Sequence, residues 1–179
     1  MQKIVSKVLS KFGILFDLTK WIILVLVVLI LVNVFWLTIF VVDGISMEPT
    51  FKDNEIVALN KFYFNNNDPI RGDVVVVRYP GDPVKKKYVK RIVGLPQDNV
   101  KISNGKIYIN GIQIDEDYLA YDVDSDPNGS WKLKDDEYFL MGDNRPFSND
   151  SRYFGPVEKR FLVGKAIAII YPRFRDDFQ

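Results

Sequence analysis

Two residues in this chain have the makings of a reacting pair. Ser46 lies in Gly-Ile-Ser-Met-Glu-Pro-Thr-Phe at 44–51, and Lys90 in Tyr-Val-Lys-Arg-Ile-Val-Gly-Leu-Pro at 88–96. The chain has no histidine and no cysteine, so a serine–histidine triad, a cysteine–histidine dyad and a histidine-bearing zinc site are all excluded. A serine nucleophile here must take its base from a lysine or a carboxylate. Pro49, three positions after Ser46, disfavours a regular strand and can open a single helical turn. Such a turn points backbone N–H groups near the hydroxyl, as a tetrahedral oxyanion requires. Lys90 sits in an apolar run whose alternation sends Lys90 and Ile92 to one face and Val89, Arg91 and Val93 to the other. One of the two adjacent cations therefore faces inward or into a cleft. A buried lysine loses proton affinity and becomes a usable base, whereas an arginine stays protonated.

A third polar constellation, Met-Gly-Asp-Asn-Arg-Pro-Phe-Ser-Asn-Asp-Ser-Arg at 141–152, follows an apolar strand-like run. Asp143, Arg145, Asp150 and Arg152 can fix this loop through ion pairs, and Ser148 or Ser151 can orient a neutral lysine amine. A separate acidic stretch has calcium-loop spacing: Asp124, Asp126, Asn128, Gly129 and Asp135 fall at positions one, three, five, six and twelve. Pro127 inside it, Lys132 and Lys134 beside it and an aspartate at the twelfth position favour an acidic surface turn, and no metal site is expected.

The elements that must position these residues are mainly strands. Residues 55–59, 73–79, 88–93, 100–102, 106–110, 137–141 and 164–171 are short β-branched or aromatic runs. Asn104-Gly105 and Asn110-Gly111 accept positive φ in tight hairpin turns, so 100–114 reads as a small meander. Loops rich in Pro, Gly, Asn and Asp cover 65–69, 80–87 and 122–129; Lys85, Lys86 and Lys87 form the strongest charge run and read as a solvated loop. With 47% hydrophobic residues the chain can bury one core. Its 24 basic and 23 acidic residues give a net charge of +1, which carries no signature of nucleic-acid binding.

Upstream, residues 21–42 carry no charge and are long enough to span a ~30 Å hydrocarbon core, so they read as one transmembrane anchor. The run exceeds the ~7–15 apolar residues of a removable signal peptide. Lys3, Lys7, Lys11 and Lys20 precede it and place the N-terminus in the cytoplasm and residues 43–179 outside the cell membrane. Residues 1–20, with Ile4, Val5, Val8, Leu9, Phe12 and Leu15 among lysines, read as an amphipathic basic segment on the cytoplasmic leaflet.

Four segments in this order, Ser-Met-Glu-Pro-Thr-Phe at 46–51, Arg-Gly-Asp-Val-Val-Val-Val at 71–77, the 88–96 segment and the Gly142 to Arg152 loop, resemble the motifs of bacterial type I signal peptidases. The N-terminal anchor resembles theirs as well. The resemblance implies an antiparallel β-sheet catalytic domain and a Ser/Lys protease, with Ser46 as nucleophile and Lys90 as base. It further implies that Ser148 holds the Lys90 amine, that Asp150 pairs with Arg152 and that Asp143 meets Arg91. The backbone N–H of Ser46 would be one oxyanion donor. Gly44 stands where some members carry a serine whose hydroxyl is the second donor, and is similar to the Gram-positive type. Val42, Met47, Phe51, Tyr88 and Val89 match positions near a groove with shallow pockets for small residues. The implied substrates are signal peptides of exported preproteins, the implied surroundings are membrane lipid and the export machinery, and no cofactor is implied. The compact span between Pro96 and Glu137 implies no large inserted subdomain.

Two other readings compete. A self-cleaving repressor shares the Ser/Lys chemistry, but this chain has an anchor and no DNA-binding segment. A catalytically silent homologue serving as a membrane-bound binding module would not need both Ser46 and Lys90.

Overall fold

The structure is a computed structural model describing residues 2–35, 37–79, 86–119 and 123–177, with side chains along the first helix described at Gly13 and 16–31. The chain divides into two compact units, residues 1–37 and 38–179. The first is essentially one helix, α1 (Gln2–Phe35). Its described apolar side chains, from Phe16 through Leu31, are exposed. Among the described residues no helix is both long and apolar enough to cross a membrane. The side chains of residues 1–12, on which the amphipathic reading depends, lie outside the described ones.

The apolar run does not continue as helix to Val42. It passes into strand β1 (Leu37–Val41), and Val42 is buried in the sheet's core. Thr38, Ile39 and Val41 are β-branched and favour this conformation, while Phe40 packs half-buried against that core.

All seven expected strand segments are present. They are β2 (Ile56–Asn60), β3 (Val74–Arg78), β4 (Lys87–Gly94), β5 (Asn99–Ser103), β6 (Lys106–Ile109), β9 (Glu137–Met141) and β11 (Leu162–Tyr171). Between them lie the shorter β7 (Ile112–Gln113), β8 (Gly129–Lys132) and β10 (Val157–Glu158), and two single-turn helices, α2 (Tyr63–Asn66) and α3 (Ser151–Phe154). A seven-stranded sheet has the order β1-β2-β11-β3-β4-β9-β10, and a four-stranded sheet the order β7-β6-β5-β8. Every described register is antiparallel. The meander forms as expected, with Asn104, Gly105, Asn110 and Gly111 all at positive φ in its two turns.

Both faces of the large sheet are covered. Val74, Val76 and Val89 pack with Val42, Met47, Phe51 and Val57 on one face, and Val75, Val77 and Ile92 with Tyr138, Leu140 and Val157 on the other. Burial on both faces explains why β3 reads as an unbroken valine run rather than an alternation. Val93, Phe139 and Met141 pack with Val100, Ile102, Ile107 and Ile109 of the small sheet, which joins the two sheets through a common core.

Candidate active site

Three segments meet at β4. In the antiparallel pairing of β3 with β4, Lys90 is opposite Val75 and Arg91 opposite Val74, so the two cations leave opposite faces of the sheet. On the other side β9 sets Met141 opposite Arg91. The loop that leaves β9 at Gly142 therefore starts beside Lys90. Ser46 arrives from the connection between β1 and β2. That connection forms one tight turn, in which Glu48 N–H donates to Ile45 O at 3.1 Å and Phe51 N–H to Met47 O at 2.9 Å. Met47 and Phe51 are buried and fasten the turn to the core; the segment is a hydrogen-bonded turn rather than a helical one.

The central contact is Lys90 Nζ donating to Ser46 Oγ at 2.7 Å. Lys90 is 1% exposed. Burial lowers its pKa from the ordinary 10.5 to about 8; Asp150 and Asp143 pull it upward and Arg152 pushes it down. The amine is thus partly neutral near neutral pH and able to accept a proton.

Gly142 makes this approach possible. A Cβ there would collide with the backbone oxygen of Ser46 and the hydroxyl of Ser148. Asn144 closes the junction: its N–H donates to Ser46 O at 3.1 Å and its Nδ2 to Ile45 O at 3.0 Å. The loop is braced by buried charge. Arg91 meets Asp143 in a fork, Nε to Oδ1 at 2.9 Å and Nη2 to Oδ2 at 2.8 Å, and also donates to Gly72 O at 2.9 Å. Thr50 donates to the same carboxylate, tying the nucleophile's turn to the loop. Asp150 pairs with Arg152, Nε to Oδ1 and Nη2 to Oδ2 both at 2.8 Å, and accepts from Gly142 N–H at 3.0 Å. Both pairs were expected from the sequence, and forked geometry with the remaining lone pairs satisfied is what makes such burial tolerable.

Other expectations meet a different arrangement. Ser148 is 5% exposed and its Oγ has no hydrogen-bond partner, so it does not hold the Lys90 amine here. Ser151, the other serine considered for that task, accepts from the N–H of Leu140 at 2.9 Å. Gly44 adopts φ +96°, which favours glycine, but its N–H is taken by Asp53 Oδ1 at 2.7 Å. Among the described residues the Ser46 N–H has no acceptor. Of the residues matched to the groove, Val42, Met47, Phe51 and Val89 are buried in one apolar cluster and Tyr88 is half-exposed.

No group of carboxylates able to hold a metal occurs among the described residues. The 124–135 stretch serves otherwise: Ser125 N–H donates to Gly105 O at 2.8 Å, and Asp126 O accepts from Arg152 at 2.7 Å. In the lysine run, Lys86 pairs with Asp43 at 3.0 Å and Lys87 opens β4, while Lys85 lies outside the described residues. Sequence reasoning did not single out Thr50 or Asn144, whose roles arise from contacts across the fold and leave no pattern along the chain.

The site sets a serine hydroxyl against a buried lysine on an antiparallel β framework, in a chain with no histidine, an arrangement that suits histidine-free serine hydrolase chemistry. A family model described as signal peptidase, peptidase S26, matches residues 15–171. The chain is 40% identical over 136 residues to a probable signal peptidase I-2 of a Synechocystis strain, covering 71% of this chain and 60% of that protein. It is 38% identical over 178 residues to signal peptidase I S of Bacillus subtilis, covering 93% and 95% of the two. A crystal structure of a signal peptidase I from Enterococcus faecalis aligns with a TM-score of 0.49 at 30% identity, over 55% of this chain and 97% of that one. The chain belongs to the signal peptidase family, peptidase S26.

Proposed function

We propose that this protein removes signal peptides from exported preproteins, with Ser46 as nucleophile and Lys90 as general base. The observation that carries the reading is the 2.7 Å contact between Ser46 Oγ and a buried lysine whose pKa lies at about 8. Neutral Lys90 takes the Ser46 proton as Oγ attacks the scissile carbonyl. The free N–H of Ser46 faces the oxyanion that develops. Collapse expels the new amino terminus, which receives its proton from the Lys90 ammonium. Lys90, neutral again, then activates the water that hydrolyses the ester. Arg91–Asp143 and Asp150–Arg152 hold the loop that keeps the pair together.

The buried cluster of Val42, Met47, Phe51 and Val89, with Tyr88 at its side, supports a shallow groove that accepts small residues at the first and third positions before the cut. α1 supports the anchor through its uncharged part, 21–35, which at ~1.5 Å per residue extends ~22 Å and needs the flanking turn to reach across a ~30 Å hydrocarbon core. Lys20 at the edge can snorkel to the headgroups. The lysines before it place the N-terminus in the cytoplasm and the catalytic domain outside, beside lipid and the export machinery.

The reading is tested by cleavage of a precursor with an Ala-X-Ala signal peptide in detergent micelles, with sequencing of the product's new N-terminus. Wild type should cut after the small residue, and Lys90→Arg, which keeps the charge but cannot deprotonate, should not. Turnover by Lys90→Arg removes the base assignment.

A further inference from the structure

Each arginine that braces the site has a second partner on the stretch of chain between β7 and β8. Glu116 takes Arg145, with Nη1 donating to Oε2 at 3.1 Å and Nη2 to Oε1 at 2.5 Å. Tyr118 lays its ring over the Arg91 guanidinium, 4.0 Å from carbon to centroid, and its hydroxyl donates to Glu116. Ser125 Oγ accepts from Arg145, and the Asp126 carbonyl accepts from Arg152 at 2.7 Å. The contacts are sheltered: Arg145 is fully buried and the Glu116 side chain is 12% exposed. Burial, foremost, and the neighbouring Glu116 carboxylate raise the Tyr118 pKa, so the phenol remains a donor.

These contacts lead to the reacting atoms in short steps. Arg145 Nε donates to Gly142 O at 3.1 Å, and Gly142 abuts both the Ser46 backbone oxygen and Ser148. Arg91 holds Asp143, which in turn accepts from Thr50 in the nucleophile's turn. Glu116 thus fixes the backbone against which Ser46 rests, and Tyr118 fixes the guanidinium next in sequence to Lys90. An arginine buried without its carboxylate would seek another partner and draw Gly142 with it.

We propose that Glu116 and Tyr118 are positioning residues of the reaction, acting through Arg145 and Arg91 to keep Ser46 Oγ within reach of Lys90. The proposal rests on the assignment of Ser46 and Lys90 as the reacting pair. Neither residue touches the reacting atoms, so their loss should lower turnover rather than substrate affinity. A misplacement of ~1 Å costs on the order of a hundredfold in rate, and a partial one correspondingly less.

The test uses the full chain in detergent micelles and the Ala-X-Ala precursor, with kcat, KM and Tm measured for Glu116→Gln, Tyr118→Leu, Tyr118→Phe, Arg145→Lys and the Glu116→Gln/Arg145→Lys double variant. Rates are taken well below each variant's Tm. Glu116→Gln and Tyr118→Leu should lose about tenfold or more in kcat with KM within about twofold. Tyr118→Phe, which keeps the stacked ring, should lose less than Tyr118→Leu. The double variant should be no slower than the slower single, because both act through one pair. Folded variants with wild-type kcat, or losses that multiply in the double, overturn the proposal. Should Glu116→Gln not fold, Tyr118→Leu carries the test, since it leaves the Glu116–Arg145 pair in place. Ser46→Ala and Lys90→Met run alongside. If these retain activity, the reacting pair is wrongly assigned; if they are inactive while Glu116→Gln and Tyr118→Leu match wild type, the positioning role alone fails.

Discussion

Replacing Lys90 by methionine should make the protein more stable while abolishing its activity. In the folded protein the Lys90 amine titrates at about 8, against an ordinary 10.5. At ~1.36 kcal/mol per pH unit that depression corresponds to ~3 kcal/mol of stability withheld at neutral pH, where the folded protein must either charge a buried amine or release its proton. The sign follows from proton counts. Between about 8 and 10.5 the unfolded chain binds a proton that the folded chain does not, so stability rises with pH through this window. Below about 8 both states are protonated and the full penalty applies; above 10.5 neither is, and the penalty is gone. Methionine fills a similar volume without charge but forfeits the bond to Ser46 Oγ, worth ~1 kcal/mol. The net gain at pH 7 is ~2 kcal/mol, or a Tm higher by roughly 4–8 °C for a protein of this size. Thermal unfolding followed by circular dichroism, for the full chain and Lys90→Met in the same detergent at pH 7 and pH 10.5, measures it. At the higher pH the folded amine is neutral and the unfolded one about half so; the penalty is then nearly gone, and the lost bond should leave the methionine variant level with or slightly less stable than wild type. A methionine variant no more stable at pH 7, or a gap independent of pH, would refute the attribution of the lowered pKa to burial.

Three further substitutions probe the frame around the pair. Asp143→Asn leaves Arg91 buried without its carboxylate and should cost ~3–5 kcal/mol, read as a large fall in Tm; a change under ~1 kcal/mol would show that the fork does not hold the loop. Gly142→Ala places a methyl group into Ser46 O and Ser148 Oγ and should lower kcat by on the order of a hundredfold, because the backbone that must yield carries the nucleophile. Wild-type turnover in that variant would contradict the tight approach. Ser148→Ala removes a buried hydroxyl that lacks a partner, so chemical denaturation should find stability unchanged or raised by up to ~1–2 kcal/mol; a loss of that size would mean the hydroxyl is bonded in solution.

The local features of the site were legible in the sequence because each has a local cause. Lys90 and Arg91 are adjacent cations in an apolar strand, and alternation alone requires that they part, as Val75 and Val74 opposite them confirm. The Asn-Gly turns at 104 and 110 follow from the positive φ these residues accept. The Arg91–Asp143 and Asp150–Arg152 pairs came from the resemblance of ordered motifs, since their partners are distant in sequence or turn on loop geometry. What escaped reading has no period. Glu116 is one acidic residue among Asp115 and Asp117, and only the packing of its loop against Arg145 distinguishes it. The run at 21–42 appeared uniform because hydropathy does not separate helix from strand, yet the alternating exposure of Leu37, Ile39 and Val41 marks its second part as sheet. The residues matched to the groove were legible only through the resemblance, because an apolar side chain reads the same along the chain whether it lies beside a groove or in the core.

The central claim, that a neutral Lys90 is the base for Ser46, is tested most directly by the pH dependence of kcat/KM for precursor cleavage between pH 6 and 10. With the Lys90 pKa at about 8, kcat/KM should rise about tenfold per unit below that value and level above it, with Lys90→Arg inactive throughout. A profile flat across pH 8, or activity in Lys90→Arg, would contradict it.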